Sequence, residues 1–153
     1  MFELTFDESK MKESWDEIVC SDKWGYIGEY FPTEDWNRAM AVSVDDDNPW
    51  YLENSPFGGI IVHPAVLHII AFMSAKMKSG VIPRPDQPIV HAKQTSEFLR
   101  PILLGMKVRI EGRIPEKYSK PGKEYLVQEI RLTDENGSEL LLYKHTSMRP
   151  RRV

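Results

Sequence analysis

The sequence predicts an α+β fold in which an antiparallel sheet curves around one long apolar helix, and three observations carry that expectation. Pro64 suits the first turn of a helix that ends near Gly80, and its residues Val66, Leu67, Ile69, Ile70, Ala71, Phe72, Met73, Ala75 and Met77 are apolar nearly all round, as in a helix enclosed by protein. Met106, Val108, Ile110 and Ile114 alternate with Lys107, Arg109, Glu111 and Arg113, the period of a half-buried strand. Segments at about Val90 to Leu99, Glu124 to Thr133 and Ser138 to Met148 read as three more strands. The turns Ser119-Lys120-Pro121-Gly122 and Asp134-Glu135-Asn136-Gly137 join them into a meander. Helices followed by consecutive antiparallel strands make an α+β plan.

Upstream, Pro32-Thr33-Glu34-Asp35 reads as a helix start. Thr33 is placed to cap, two carboxylates suit the positive end of the helix dipole, and Trp36 and Met40 then share a face. The stretch from Asp45 to Phe57 is acidic, aromatic and irregular, and Gly58-Gly59 permits a tight turn before Pro64. No repeat or linker divides the 153 residues, so one domain spanning 1–153 is expected.

A net charge of -3, with 20 basic residues spread along the chain, gives no electrostatic reason to expect nucleic acid or an anionic membrane; the short tail of Arg149, Arg151 and Arg152 does not alter this. The helix at Pro64 is broken by His68, Ser74, Lys76 and Lys78 and is too short to cross a bilayer. One cysteine, Cys20, excludes an intramolecular disulfide and suits a reducing compartment; it reads as a small buried hydrophobe. The opening Met1-Phe2-Glu3-Leu4-Thr5-Phe6-Asp7-Glu8 is acidic where a secretory signal is basic, which points to the cytoplasm.

Asp46-Asp47-Asn48-Pro49-Trp50-Tyr51 resembles the Asp-x-Asn-Pro-x-His hydration motif of the MaoC-like (R)-specific enoyl-CoA hydratases and related acyl carrier protein dehydratases. Phe57-Gly58-Gly59-Ile60-Ile61-Val62-His63-Pro64 is similar to the segment by which that family enters its central helix, and Phe98-Leu99-Arg100-Pro101 through Gly105 to its next strand entry. The three motifs stand in the family's order over roughly residues 30–150. The resemblance implies a hot-dog fold, an acyl thioester of coenzyme A or acyl carrier protein as ligand, no cofactor, and a homodimer or a heterodimer with another hot-dog chain.

Hydration of a 2-enoyl thioester needs a base for water, an acid for the α-carbon and donors for the thioester oxygen. Carried over, the resemblance puts Asp46 at the catalytic aspartate and lets Asn48 and Pro49 shape its loop, while Tyr51 stands where the family has histidine. A tyrosine, with a reference pKa near 10, is a poor base at neutral pH. Family members lacking the histidine serve as substrate-binding halves, so a non-catalytic acyl-binding subunit is the alternative, and a hot-dog thioesterase a third. His63, at the helix entry, is a substitute acid/base or a hydrogen-bonded structural histidine; His68 reads as structural, and His91 and His145 as ordinary strand residues. Asp46 reads equally as a turn residue, because Asp45 to Asn48 before Pro49 is a good turn signal. Trp50, Phe57, Gly58, Gly59 and Pro64 are candidates to line a substrate channel, the aromatics reading also as core. The acidic run lacks the glycine and distal glutamate of a calcium loop, so no metal is expected.

Overall fold

The computed structural model of the chain describes residues 15–80 and 88–151. The N-terminal opening at Met1 to Glu8, Arg152 and the Met77 side chain lie outside the described residues. After a short 3-10 turn at Trp15–Glu17 the chain forms β1 (Ser21–Tyr30), α1 (Glu34–Ser43), α2 (Pro49–Leu52), α3 (Pro64–Ser79), β2 (Val90–Phe98), β3 (Val108–Lys120), β4 (Lys123–Thr133) and β5 (Glu139–Pro150). The strands form one antiparallel sheet in the order β1-β3-β4-β5-β2.

The long helix begins and ends where its sequence dictates. Pro64, without an N–H, occupies the first turn, and Gly80 terminates the helix in the left-handed region at φ 67°. Val66, Leu67, Ile70, Ala71 and Ala75 pack against Tyr30, Ile102, Val108, Ile110, Ile130, Leu132 and Tyr143 to form the main core. The helix is not enclosed on every side. Ile69 and Met73 are 36% and 42% exposed, because the sheet wraps one flank and leaves the other as an open stripe.

Two features of the sheet depart from the sequence expectation. β1 was not expected: its pairing with β3 shifts register between Ser21 and Gly25 and again between Tyr26 and Gly28, which destroys the period-two alternation by which strands are read. Only β3, β4 and β5 form a meander. β2 pairs with β5 at the far edge, because the segment after β2 crosses beneath the start of α3, where Val62 N–H donates to the Ile102 carbonyl at 2.7 Å and Ile61 bridges Leu103.

Two local expectations are also corrected. Cys20 is exposed, on the approach to edge strand β1, beside the likewise exposed Val19. Thr33 is the N-cap residue of α1, but its side chain makes no capping hydrogen bond. Trp36 and Met40 lie one turn apart on α1, Met40 packed against the core and Trp36 49% exposed, while the fully buried positions of the helix are Asn37 and Ala41. No described helix is long and apolar enough to cross a membrane, which says nothing about strands.

Gly112 of β3 leaves no room for a side chain, since an added Cβ would lie 2.7 Å from Ile27 Cδ1 on β1, 2.9 Å from Ile130 Cδ1 on β4 and 3.3 Å from Lys78 Cγ on α3. Gly112→Val overpacks this contact and is expected to destabilise the protein by about 1–3 kcal/mol, read as a lower urea midpoint with an unchanged m-value.

Candidate functional site

The site is assembled where three chain segments meet at the entry to α3. α1 contributes Asn37, which is 1% exposed. Its Nδ2 donates to the carbonyls of Tyr51, at 2.8 Å, and Ile61, at 3.1 Å, while its Oδ1 accepts from the His63 N–H at 2.6 Å. One amide thus ties the acidic loop, the segment before α3 and the first residue of the helix entry together. Sequence reasoning missed Asn37; its signal was a position four residues before the buried Ala41, on one face of α1.

Just beyond α1, Asp45 has a φ of 55°, a left-handed conformation that aspartate tolerates better than most residues. The Asp46 N–H returns to the Ala41 carbonyl at 2.9 Å, fixing the turn. Asp46 Oδ1 then accepts from the Asn48 N–H at 3.0 Å, and Asn48 Oδ1 caps α2 by accepting from the Trp50 N–H at 3.0 Å. Asp46 and Asn48 are therefore turn residues in fact, and the turn presents the second Asp46 oxygen to His63.

Asp46 Oδ2 lies 3.2 Å from His63 Nε2. His63 is also the N-cap of α3, its Nδ1 accepting from the Ala65 N–H at 3.1 Å. An acceptor at Nδ1 assigns the proton of a neutral imidazole to Nε2, so His63 donates to the Asp46 carboxylate. Both ring nitrogens are engaged, and the ring is held beneath Tyr51 with centroids 4.6 Å apart. His63 consequently orients the carboxylate. The Asp46 side chain stays 35% exposed and the His63 side chain 10%.

Tyr51 lies close enough to Asp46 to feel its charge. Burial, and secondarily that negative charge, raise the phenol above its ordinary pKa of 10.0, so at neutral pH it is a protonated donor. The arrangement pairs one oriented, accessible carboxylate with one neutral phenol. The helix end adds no open donor among its first residues: Pro64 has none, Ala65 N–H serves His63 Nδ1, and the Val66 and Leu67 N–H groups both reach the His63 carbonyl.

The structure thus brings Asp46, Asn48, Tyr51 and His63 together. Trp50 and Phe57 form a separate edge-to-face pair at 5.9 Å, 40% and 51% exposed, and so are rim rather than core. Gly58, at φ 91°, and Gly59 make the turn that carries the chain back towards α3, with Ser55 hydrogen-bonded to the Gly59 carbonyl. Pro64 faces a cleft of about 200 Å³ shared with Leu67, Phe98 and Arg100. Among the described residues, no group of three or more His, Cys, Asp or Glu side chains is placed to hold a metal ion.

Asn37→Ala leaves two part-buried carbonyls and one buried N–H unpaired, and is expected to cost about 2 kcal/mol in denaturant unfolding. The same variant should lose the downfield Nε2–H signal of His63 in proton NMR, because the entry to α3 is no longer held.

The sequence matches no protein-family model and no curated protein. Solved structures do match. The unliganded R-hydratase PhaJ1 of Pseudomonas aeruginosa is 20% identical with a TM-score of 0.68, the match covering 90% of this chain and 85% of that one. A MaoC-like dehydratase of Rhodospirillum rubrum is 16% identical with a TM-score of 0.68, covering 91% and 97%. The HadBC 3R-hydroxyacyl-ACP dehydratase complex of Mycobacterium tuberculosis contains a chain 18% identical, with a TM-score of 0.64, covering 82% and 93%. The sheet wrapped around α3 is therefore the hot-dog fold of the MaoC-like dehydratases and (R)-hydratases.

Proposed function

We propose that this chain is a MaoC-like hydratase/dehydratase of an acyl thioester, with Asp46 as its acid/base. The contact that carries the reading is Asp46 Oδ2 to His63 Nε2, 3.2 Å: a histidine supplied by the helix entry orients the carboxylate although position 51 is tyrosine. In the hydration direction Asp46 takes a proton from water, and the hydroxide oxygen bonds to C3 of a 2-enoyl thioester. The C2–C3 π pair moves towards the thioester oxygen. C2 then receives a proton from the Tyr51 phenol, which regains one from protonated Asp46. Asn48 and Pro49 shape the loop, Gly58, Gly59 and Pro64 the turn into α3, and Trp50 and Phe57 the rim over which the acyl or pantetheine chain passes. No cofactor enters these steps.

A specific observation favours a second reading, an acyl-binding subunit whose hot-dog partner performs the chemistry. The first N–H groups of α3 are all engaged locally, so the thioester oxygen finds no donor there. Either reading places a second hot-dog chain against this one. β2 is paired only on its β5 side, which leaves its other edge free to pair, with Val90 and Phe98 at its two ends 45% and 49% exposed.

Hydration of crotonyl-CoA and longer 2-enoyl-CoA substrates, followed at the enoyl absorbance, separates the two readings. Turnover that falls by about 10²-fold or more in Asp46→Asn supports the enzyme. Saturable acyl-CoA binding without turnover at any chain length supports the binding subunit. If Tyr51 is the acid, activity is retained below its raised pKa and lost as pH rises through it, above 10.0, and Tyr51→Phe removes that alkaline limb.

Sedimentation velocity of the wild-type chain should show a dimer at micromolar concentration, and Met73→Lys with Phe98→Glu should yield monomer. A monomeric wild type that stays monomeric with candidate hot-dog partners would remove the shared-edge assembly.

A further inference from the structure

A second cleft opens beside the last turns of α3, roughly 14 to 20 Å along the axis from His63 by helical rise. It offers about 140 Å³, with Trp15, Phe72, Ile89 and Leu126 as apolar walls. A dry cavity of about 150 Å³ accommodates one benzene ring, so the space suits a ring or a short branched chain. Gln128, His145 and Ser147 form the floor, which is closed to a ligand. Gln128 Nε2 donates to the Ala75 carbonyl, Gln128 Oε1 accepts from His145 Nδ1 at 3.1 Å and from Ser147 Oγ at 3.2 Å, and His145 Nε2 is buried. Ser79 is spent on the Lys76 carbonyl at 2.9 Å. The accessible polar groups of the lining are therefore Lys76 and His91, both exposed.

Lys76 carries the only formal charge of the lining, and no carboxylate lies there among the described residues. Its Nζ rests 4.5 Å from the centroid of Phe72 and has no ion pair among those residues, while His91 stacks on the same ring at 5.4 Å. Arg149, 4.9 Å over Trp15, is already neutralised by Glu124 at 2.6 Å and Asp16 at 3.7 Å. The local surplus is positive, and His145 registers it: burial first, then His91, Lys76 and His68, lower it to about 4. The C-terminal end of a helix ordinarily repels an anion, but here the Ala75 and Lys76 carbonyls are engaged by Gln128 Nε2, Ser79 Oγ and the Gly80 N–H. An apolar cleft with one unpaired cation at its mouth is complementary to a carboxylate on a compact apolar body.

We propose that this cleft is a second ligand site, for a small monocarboxylate whose carboxylate pairs with Lys76 and whose apolar body lies against Phe72, Ile89 and Leu126. The site is independent of the chemistry at Asp46. Benzoate, benzyl alcohol and acetate are the probes, the second lacking the charge and the third the ring. In protein labelled with ¹⁵N at the imidazoles and indoles, benzoate is expected to shift the His91 and Trp15 signals saturably and to leave His63 unmoved. At low ionic strength benzyl alcohol and acetate are each expected to bind about tenfold more weakly, and added salt should weaken benzoate alone. Lys76→Gln, a change at an exposed position, should abolish the preference for benzoate over benzyl alcohol while keeping the weaker binding of the ring. No saturable shift, equal affinity for benzoate and benzyl alcohol, a preference that survives Lys76→Gln, or a response at His63 in place of His91 would overturn the proposal.

Discussion

The entry of the chain into α3 is fixed by a buried amide, and the arrangement of the site depends on it. Asn37 offers two donors and one acceptor to three backbone groups from three segments, at 2.6 to 3.1 Å. The bond to the His63 N–H is buried and those to the two carbonyls are part-buried, so losing them leaves polar groups only partly open to water. The sheet can hold the body of α3 by apolar contact alone, since burial is non-directional. It cannot set where the helix begins to within the tolerance that a 3.2 Å contact between Asp46 and His63 requires. Directional bonds from Asn37 supply that precision, with α1 as the rigid element that carries them.

The same economy governs His63. It caps the helix through Nδ1 and holds Asp46 through Nε2, which leaves it no lone pair or proton for a substrate. Its worth lies in the carboxylate it orients. Asp46 is likewise both turn residue and candidate base: one oxygen closes the turn to Asn48 while the other faces His63. Structural and chemical roles coincide here because a carboxylate has more acceptor positions than the turn consumes.

What the sequence disclosed follows from which interactions leave a periodic or local trace. The bounds of α3 were legible because proline and glycine act through their own backbones. β3 to β5 were legible because their pairing is regular enough to preserve alternation. β1 was hidden by two register shifts that side-chain pattern does not record, and the edge placement of β2 by a crossover decided by long-range contacts at Ile61 and Val62. At the site, Asp46 and Asn48 stood out through turn chemistry, and His63 through its place before Pro64. Asn37 did not, because an asparagine inside an otherwise amphipathic helix is indistinguishable by type from one on its surface. His145 read as an ordinary strand residue for a related reason: its burial and its unpaired Nε2 come from β4, β5 and α3 meeting around it.

The two ends of α3 thus differ in a way that composition does not reveal. At the N-terminal end, where a helix ordinarily presents several unpaired N–H groups, proline and His63 leave no open donor in the first turn, and the accessible polar group is the acceptor Asp46. At the C-terminal end, Gln128 is bonded to Ala75, His145 and Ser147, and His145 Nε2 is buried with no hydrogen-bond partner. Both ends therefore hold acceptors, one a carboxylate whose side chain is 35% exposed, the other a buried imidazole nitrogen. A charged, hydrated acceptor suits the movement of protons to and from water.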